Sequence, residues 1–414
     1  MVKIKKYLSA FLLCLCVNIC LSAEDCNIEN KIENTKLPEA NASIESFQEE
    51  LLDIAFDTAS LIPVKPHIKT RCKVQQYTIE AMLELKQLQK ASDSAKEIMN
   101  WRKELCYAQI AKLYAEHNNI EAAEKYLKLA KQGLETKTLE EWRSDRIKVN
   151  ITQAELLLGK DSREDGFEES LVVSEAGKVA LIEAKLCDTD DFDKQCEALD
   201  KIIKAGVFDS VNNALKAYSY LYDNFYEDKE KRNLIENKIK NGWSRTPYFL
   251  RIDILERLIE SSIKNNDIET ALKNLETAKS YVDDENWSRG RIDTRMPLTA
   301  KVAKLYYKAG RKDIAVAELE KEVAAFEKNR ETIVNMYRSE ALCKVAEGYY
   351  TIGNKAKALE VYKMAAKEGM VNKNLRPRAE DFANLCCSMA TNKVKPDDEL
   401  NKIIRDITKE LATE

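Results

Sequence analysis

Glycine and proline are scarce in this 414-residue chain, at 11 and 7 residues. Average usage of roughly 7% and 5% would supply about 29 and about 21. So few punctuators cannot serve the many turns of a β-sandwich or barrel. Histidine is scarcer still: His67 and His117 stand alone and far apart, which excludes an H-E-x-x-H metal site. The chain has no G-x-S-x-G elbow, no phosphate-cradling G-x4-G-K-[ST] loop and no G-x-G-x-x-G fingerprint. No C-x2-C pair is present for structural zinc. The acidic run Asp188 to Asp193 puts Phe192 where a calcium loop needs an oxygen ligand, and Asp193 where it needs glycine. It reads as a solvated turn capping the next helix. No catalytic, metal-binding or cofactor-binding residue can be singled out, so the expectation is a non-enzyme with no cofactor.

A long apolar run occurs once, from Tyr7 to Leu21, behind the basic start Lys3, Lys5 and Lys6. It is shorter than the roughly 20 residues a membrane span needs. Ser22-Ala23 supplies the small residues that signal peptidase requires before Glu24. Residues 1–23 therefore read as a cleaved export signal, and the mature protein as periplasmic or secreted, with no integral span. Cleavage removes three lysines and no acid, taking the net charge from −4 to −7. An acidic chain with interleaved Lys and Glu has no electrostatic footprint for nucleic acid. Eight cysteines remain: Cys26, Cys72, Cys106, Cys187, Cys196, Cys343, Cys386 and Cys387. Export permits disulfides; Cys187 with Cys196, around the acidic turn, is the nearest to a bridge, and free buried thiols are expected elsewhere.

What the chain does have is charge, at 33%, and hydrophobic residues, at 44%, the balance of amphipathic helices around a core. A spacing recurs within it: Ala111, Tyr114, Ala123, Leu127, Ala130 in one place and Ala346, Tyr349, Ala358, Tyr362, Ala365 in another. Two packed helices need small residues where their axes approach and large ones beside them, and repetition of that need marks a stacked helical array.

These residues resemble the tetratricopeptide repeat. The best copy runs from Ser339 to Asn372, with Gly353 at the turn between its helices. Met296 to Lys328 keeps Ala303, Tyr306, Gly310, Ala315 and Leu319 but has Glu322 where a small residue is usual. Glu104 to Lys137 replaces the turn glycine by Asn118, which tolerates left-handed geometry. Ile252 to Asp284 and Cys72 to Lys103 are weaker copies. The copies lie further apart than the usual period of 34 residues, so the helix pairs carry longer links. All four tryptophans fall in one repeated phrase: Asn100-Trp101-Arg102, Glu141-Trp142-Arg143, Gly242-Trp243-Ser244 and Asn286-Trp287-Ser288. They read as buried anchors between successive helix pairs, each ring covering about 150–250 Å².

The expected fold class is all-α: a right-handed α-solenoid of tetratricopeptide-like helix pairs, irregularly spaced, with a helical C-terminal cap. Its expected divisions are residues 1–23 (signal), 24–42 (flexible leader), 43–144 (N-terminal repeats), 145–245 (an irregular helical segment), 246–372 (C-terminal repeats) and 373–414 (the cap). Within 145–245 the aromatics Tyr218, Tyr220, Tyr222, Phe225 and Tyr226 recur at helical spacing and read as a core stripe. The resemblance implies a scaffold for a protein or peptide partner. In such arrays the first helix of each pair lines the binding surface, which selects Lys112, Lys304, Tyr307, Glu347 and Tyr350. The alternative is a helical toroid hydrolase acting on glycan or peptidoglycan through paired carboxylates.

The leader reading has a direct check. N-terminal sequencing of exported protein is expected to begin at Glu24 or within two residues of it, and Met1 at that terminus would refute the cleavage.

Overall fold

The computed structural model describes residues 42–136, 139–160, 192–206, 208–243, 246–284, 287 and 291–413. The expected signal, the flexible leader up to residue 41, Cys187 and the run Asp188 to Asp191 lie outside them. Among the described residues there is no β-strand and there are 17 α-helices. They are α1 (Ser46–Leu61), α2 (Val64–Glu84), α3 (Leu88–Ala95), α4 (Arg102–Glu116), α5 (Ile120–Thr136) and α6 (Glu141–Leu157). Next come α7 (Phe192–Ala205), α8 (Phe208–Asn224), α9 (Lys229–Gly242), α10 (Tyr248–Lys264), α11 (Ile268–Val282) and α12 (Ile292–Lys308). The chain ends with α13 (Lys312–Asn329), α14 (Asn335–Thr351), α15 (Lys355–Gly369), α16 (Leu375–Thr391) and α17 (Asp398–Ala412). The described helices form an array of successive pairs.

Neighbouring helices pair: α2 with α3, α4 with α5, α8 with α9, α10 with α11, α12 with α13, and α14 with α15. The small and aromatic residues of the recurring spacing sit at these crossings. Ala111, Tyr114, Ala123, Leu127 and Ala130 are all buried, as are Ala346, Tyr349, Ala358, Tyr362 and Ala365. Five of these six pairs, all but α8–α9, turn by one device. The second residue after the first helix takes a positive φ at Lys86, Asn118, Asn266, Gly310 and Gly353, and again at Gly159 and Lys393. In all seven the following amide reaches back to a carbonyl five residues earlier, as Asn119 to Tyr114 and Asn354 to Tyr349, both 2.9 Å. This closure satisfies carbonyls that a helix end leaves open. The second helices then start on side-chain caps where the sequence offers them: Asp267 accepts from the Thr270 amide and Asn354 from that of Lys357.

First helices also stack on one another. The contacts run α8–α10–α12–α14–α16 and continue α16–α2–α4–α6. Helix α16 thus meets the N-terminal helices, and α1 packs on it as the second helix of a pair. Leu51, Leu52, Ala55 and Phe56 of α1 and Phe382, Leu385, Cys386 and Met389 of α16 are buried. Buried Gln48 donates from its Nε2 to the Ala390 carbonyl at 2.8 Å. The segment expected as a C-terminal cap, residues 373–414, has neighbours on two flanks. A cap covers one side of a terminal pair, whereas α16 has α14 and α15 on one flank and α1 and α2 on the other. Helix α17, with Leu400, Ile404, Ile407 and Leu411 buried, lies against α15 and α1.

The tryptophans depart from one anchor per repeat. Trp101 is buried just ahead of α4, and Trp142 meets it edge to face at 5.5 Å. Trp142 itself is 44% exposed, because α6 begins one residue before it and carries the ring as an outward helical position. Trp243 and Trp287, half-buried, join one cluster with Tyr248 and Tyr281, and Trp287 Nε1 donates to the Tyr281 carbonyl at 2.8 Å. Tyr218 and Tyr222 are fully buried, as the aromatic stripe predicts. Six cysteines, Cys196 among them, carry free thiols, all buried or half-buried, so the structure shows no bridge to Cys196.

Trp101→Ala is expected to cost about 3–5 kcal/mol, the range for truncating a large buried ring. Trp142→Ala is expected to cost about 1 kcal/mol, the worth of an aromatic pair at a partly wet position. Denaturant unfolding of the two variants checks the contrast.

Candidate functional site

The exposed side of the stacked first helices is polar, and its charges pair from one helix to the next. Lys301 of α12 bonds Asp253 and Glu256 of α10 at 2.6 and 2.7 Å, and Lys308 bonds Glu260 at 2.5 Å. Lys73 of α2 meets Glu380 of α16 at 3.3 Å. Gln109 of α4 donates to Glu80 of α2 at 3.0 Å. Partly exposed pairs of this kind contribute little each, about 0–1 kcal/mol. Their geometric effect is to tie up the cations along most of the face.

The five residues expected to bind a partner are only partly brought together. Lys304 on α12 and Glu347 on α14 face each other at 3.8 Å. Burial depresses the Lys304 ammonium, with Glu347 opposing that effect. Glu347 is buried rather than presented: its Oε1 takes bonds from Lys344 Nζ at 2.8 Å and Ser388 Oγ at 2.7 Å. Tyr350 is tethered through its hydroxyl to the Lys393 carbonyl at 2.8 Å. Tyr307 is exposed on α12. Lys112 lies on α4, separated from α12 and α14 by α16 and α2 in the stack. Glu347 and Tyr350 thus already have hydrogen-bond partners within the fold.

Sequence reasoning missed a pocket of about 260 Å³ where α14, α16 and α2 meet. Met336, Tyr337 and Glu340 come from α14, and Thr70 and Lys73 from α2. Helix α16 contributes Arg376, Pro377, Glu380, Asp381 and Asn384. Both cations are engaged with one carboxylate, Glu380: Lys73 at 3.3 Å and Arg376 at 3.7 Å. Asp381 is 5% exposed and its Oδ2 has no hydrogen-bond partner among protein atoms. Desolvation, reinforced by Glu380 and Glu340, pushes its carboxyl up to about 8. The sequence held one signal. Arg378 and Asp381 fall on the same helical stripe as Phe382, Leu385 and Met389, where an apolar pattern would continue.

Asp381 makes stability depend on pH. Its folded-state affinity for a proton exceeds the ordinary value of 3.8. The stability it supports is therefore complete below about pH 4 and is lost as pH rises toward 8. The slope is at most about 1.4 kcal/mol per pH unit. Asp381→Asn is expected to flatten that fall and to be the more stable protein at pH 8. Urea unfolding at pH 5, 6.5 and 8 measures both slopes; parallel curves for the two proteins would refute the buried-acid assignment.

No protein-family model matches this chain, and no curated protein matches it. One solved structure is similar: a circular tandem repeat protein with novel repeat topology and enhanced subunit contact surfaces. It is 12% identical, the match covers 89% of this chain and 97% of that one, and the TM-score is 0.25.

Proposed function

We propose that the chain is an exported, non-catalytic scaffold that binds a protein or peptide partner along the polar side of its first helices. In this reading the pairs are tetratricopeptide-like, the array is a right-handed solenoid, and the mature protein works in the cell envelope or outside the cell. The carrying observation is the stack of first helices, eight in contact order, with exposed Tyr77, Tyr307 and Tyr337 on three of them. Exposed tyrosines among mixed charges suit the aromatic anchors by which extended peptides or partner helices are held. The hydrolase alternative has one observation in its favour, a buried acid beside other carboxylates. Against it, Glu380 is already neutralised by two cations, and a glycosidase needs its second carboxylate free to act as base or nucleophile.

A photo-reactive phenylalanine analogue placed at Tyr307 tests the scaffold reading in an envelope fraction. It is expected to cross-link one recurrent partner, while the same analogue at Ile268, exposed on the second helix α11, does not. Tyr307→Ala with Tyr337→Ala is expected to weaken capture of that partner at least about tenfold, as loss of aromatic anchors does, with helix content unchanged. Cross-links from position 268 alone, or capture unaffected by the double change, would overturn the assignment of the face.

A further inference from the structure

The pocket between α14, α16 and α2 has an unbalanced charge inventory. Its two cations are both spent on Glu380. Glu340 makes no ion pair or hydrogen bond among the described residues and stands exposed at the mouth. Asp381 sits at the buried wall with an oxygen unpartnered. A buried carboxyl left without a donor costs free energy that evolution ordinarily removes by supplying one. Two other buried acids have their donors: Glu322, 1% exposed, takes Arg295 and Thr299, and Glu347 takes Lys344 and Ser388. Pocket space in front of Asp381 and a free carboxylate at its entrance mean that the missing donor can come from outside.

The geometry points to a receptor for a primary ammonium group on an alkyl chain, the side chain of a lysine in a partner polypeptide. An anion would face the carboxylates of Glu340 and Glu380 beside the Asp381 acid. A metal ion is disfavoured because no group of three or more His, Cys, Asp or Glu side chains among the described residues could hold one. An ammonium is a compact charge with three rotatable donors, suited to carboxylates presented by two different helices, whereas a guanidinium requires a planar fork. The methylene stem would lie along Met336, Pro377 and the ring of Tyr337, which is 45% exposed. Tyrosine faces also attract cations.

Binding moves one proton. The uncharged carboxylic acid of Asp381 gives its proton to the buffer, and the resulting carboxylate pairs with the incoming ammonium. The charges bearing on Asp381 come from each neighbouring element. Glu380, Arg376 and Arg378 share its helix, Glu340 and Arg338 belong to α14, and Lys73 to α2. Glu368 of α15 is occupied by Arg330 and Arg338, and Glu410 of α17 by Arg378. Of these, Glu380 and Glu340 raise the carboxyl. Affinity for an amine should therefore rise with pH up to about 8 and level off above it.

The inference rests on the face being a polypeptide surface, but its test does not need the partner. Titration calorimetry uses the full chain with Nα-acetyl-lysine methylamide, at pH 6, 7, 8 and 9 and in two buffers of different ionisation enthalpy. The expected result is saturable binding that strengthens by up to about tenfold per unit between pH 6 and 8, with close to one proton released at pH 7. The norleucine analogue should not bind, and the arginine analogue should bind more weakly. Asp381→Asn should weaken binding at least about tenfold at pH 8 and abolish its pH dependence. Glu340→Gln, at an exposed position that cannot threaten the fold, should weaken it several-fold. Absence of saturation at millimolar lysine analogue, equal binding of norleucine, tighter binding of arginine, or an unchanged Asp381→Asn titration would each overturn the assignment. Failure here alongside successful cross-linking from Tyr307 would remove the lysine pocket and leave the scaffold.

Discussion

Everything in the array depends on one helix pair whose members come from opposite ends of the chain. Helix α1 fills the second-helix place beside α16. Bringing such distant segments together is less costly than their separation suggests. Loop-closure entropy grows by only about 0.6 kcal/mol per doubling of length, so a tenfold longer loop costs about 2 kcal/mol more. One fully buried leucine contributes about as much, roughly 1.5–3 kcal/mol, and Leu51, Leu52, Leu385 and Met389 are all buried here. Directionality comes from the polar contacts. Gln48 is buried and must find an acceptor, and the Ala390 carbonyl provides it. Slip by a residue would leave the Gln48 amide without this acceptor, at about 1–3 kcal/mol. The pocket exists only through this joint, since Thr70 and Lys73 reach it from the N-terminal part and Arg376 to Asn384 from the C-terminal part.

The repeat is kept more faithfully by the backbone than by the side chains. Seven first helices end in the same left-handed closure, though the residue that adopts it is glycine three times, asparagine twice and lysine twice. Glycine and asparagine enter that region at little cost; lysine does so at a penalty that the two returning hydrogen bonds offset. Glu322 shows a related tolerance. It occupies a position where a small residue is usual, and Arg295 and Thr299 of α12 satisfy it. A repeat can thus drift in sequence while its crossing geometry persists, provided that each polar intruder brings its own partner.

How much was legible follows from the range of each signal. Local periodicity carries the helices: α8 holds Tyr218, Tyr220 and Tyr222 of the expected aromatic stripe, and the Ala/Tyr crossings are buried as the spacing requires. Turn chemistry at Gly310, Gly353 and Asn118 was equally readable. Pairing of α16 with α1 was not, because an apolar stripe states that a helix is covered without stating by what. The same limit explains Trp142: Trp-Arg recurs at Trp101 and Trp142, yet the helix starts after the first ring and before the second, and a shift of one position rotates a side chain by about 100°. Among the site residues, the off-stripe positions placed Lys304 and Tyr307 on the polar face. Nothing local indicated that Ser388, from a different pair, would claim Glu347.

The buried acids divide the array's electrostatics into finished and unfinished parts. Glu347 has Lys344 and Ser388 within hydrogen-bonding distance, and Glu322 has Arg295 and Thr299. In each case donors from a neighbouring turn or helix compensate the cost of burying charge, so the group fixes register rather than seeking a partner. Asp381 lies a few residues from two arginines and beside Glu380, yet its buried Oδ2 receives a bond from no donor among the described residues. Geometry explains this: Arg376 and Lys73 converge on Glu380, and Arg378 is turned to Glu410 of α17. Proton retention is then the only internal relief open to Asp381, which is why desolvation dominates its shift. A carboxyl held neutral by isolation, at a joint between N-terminal and C-terminal helices, is a place where an external cation would gain more than it displaces.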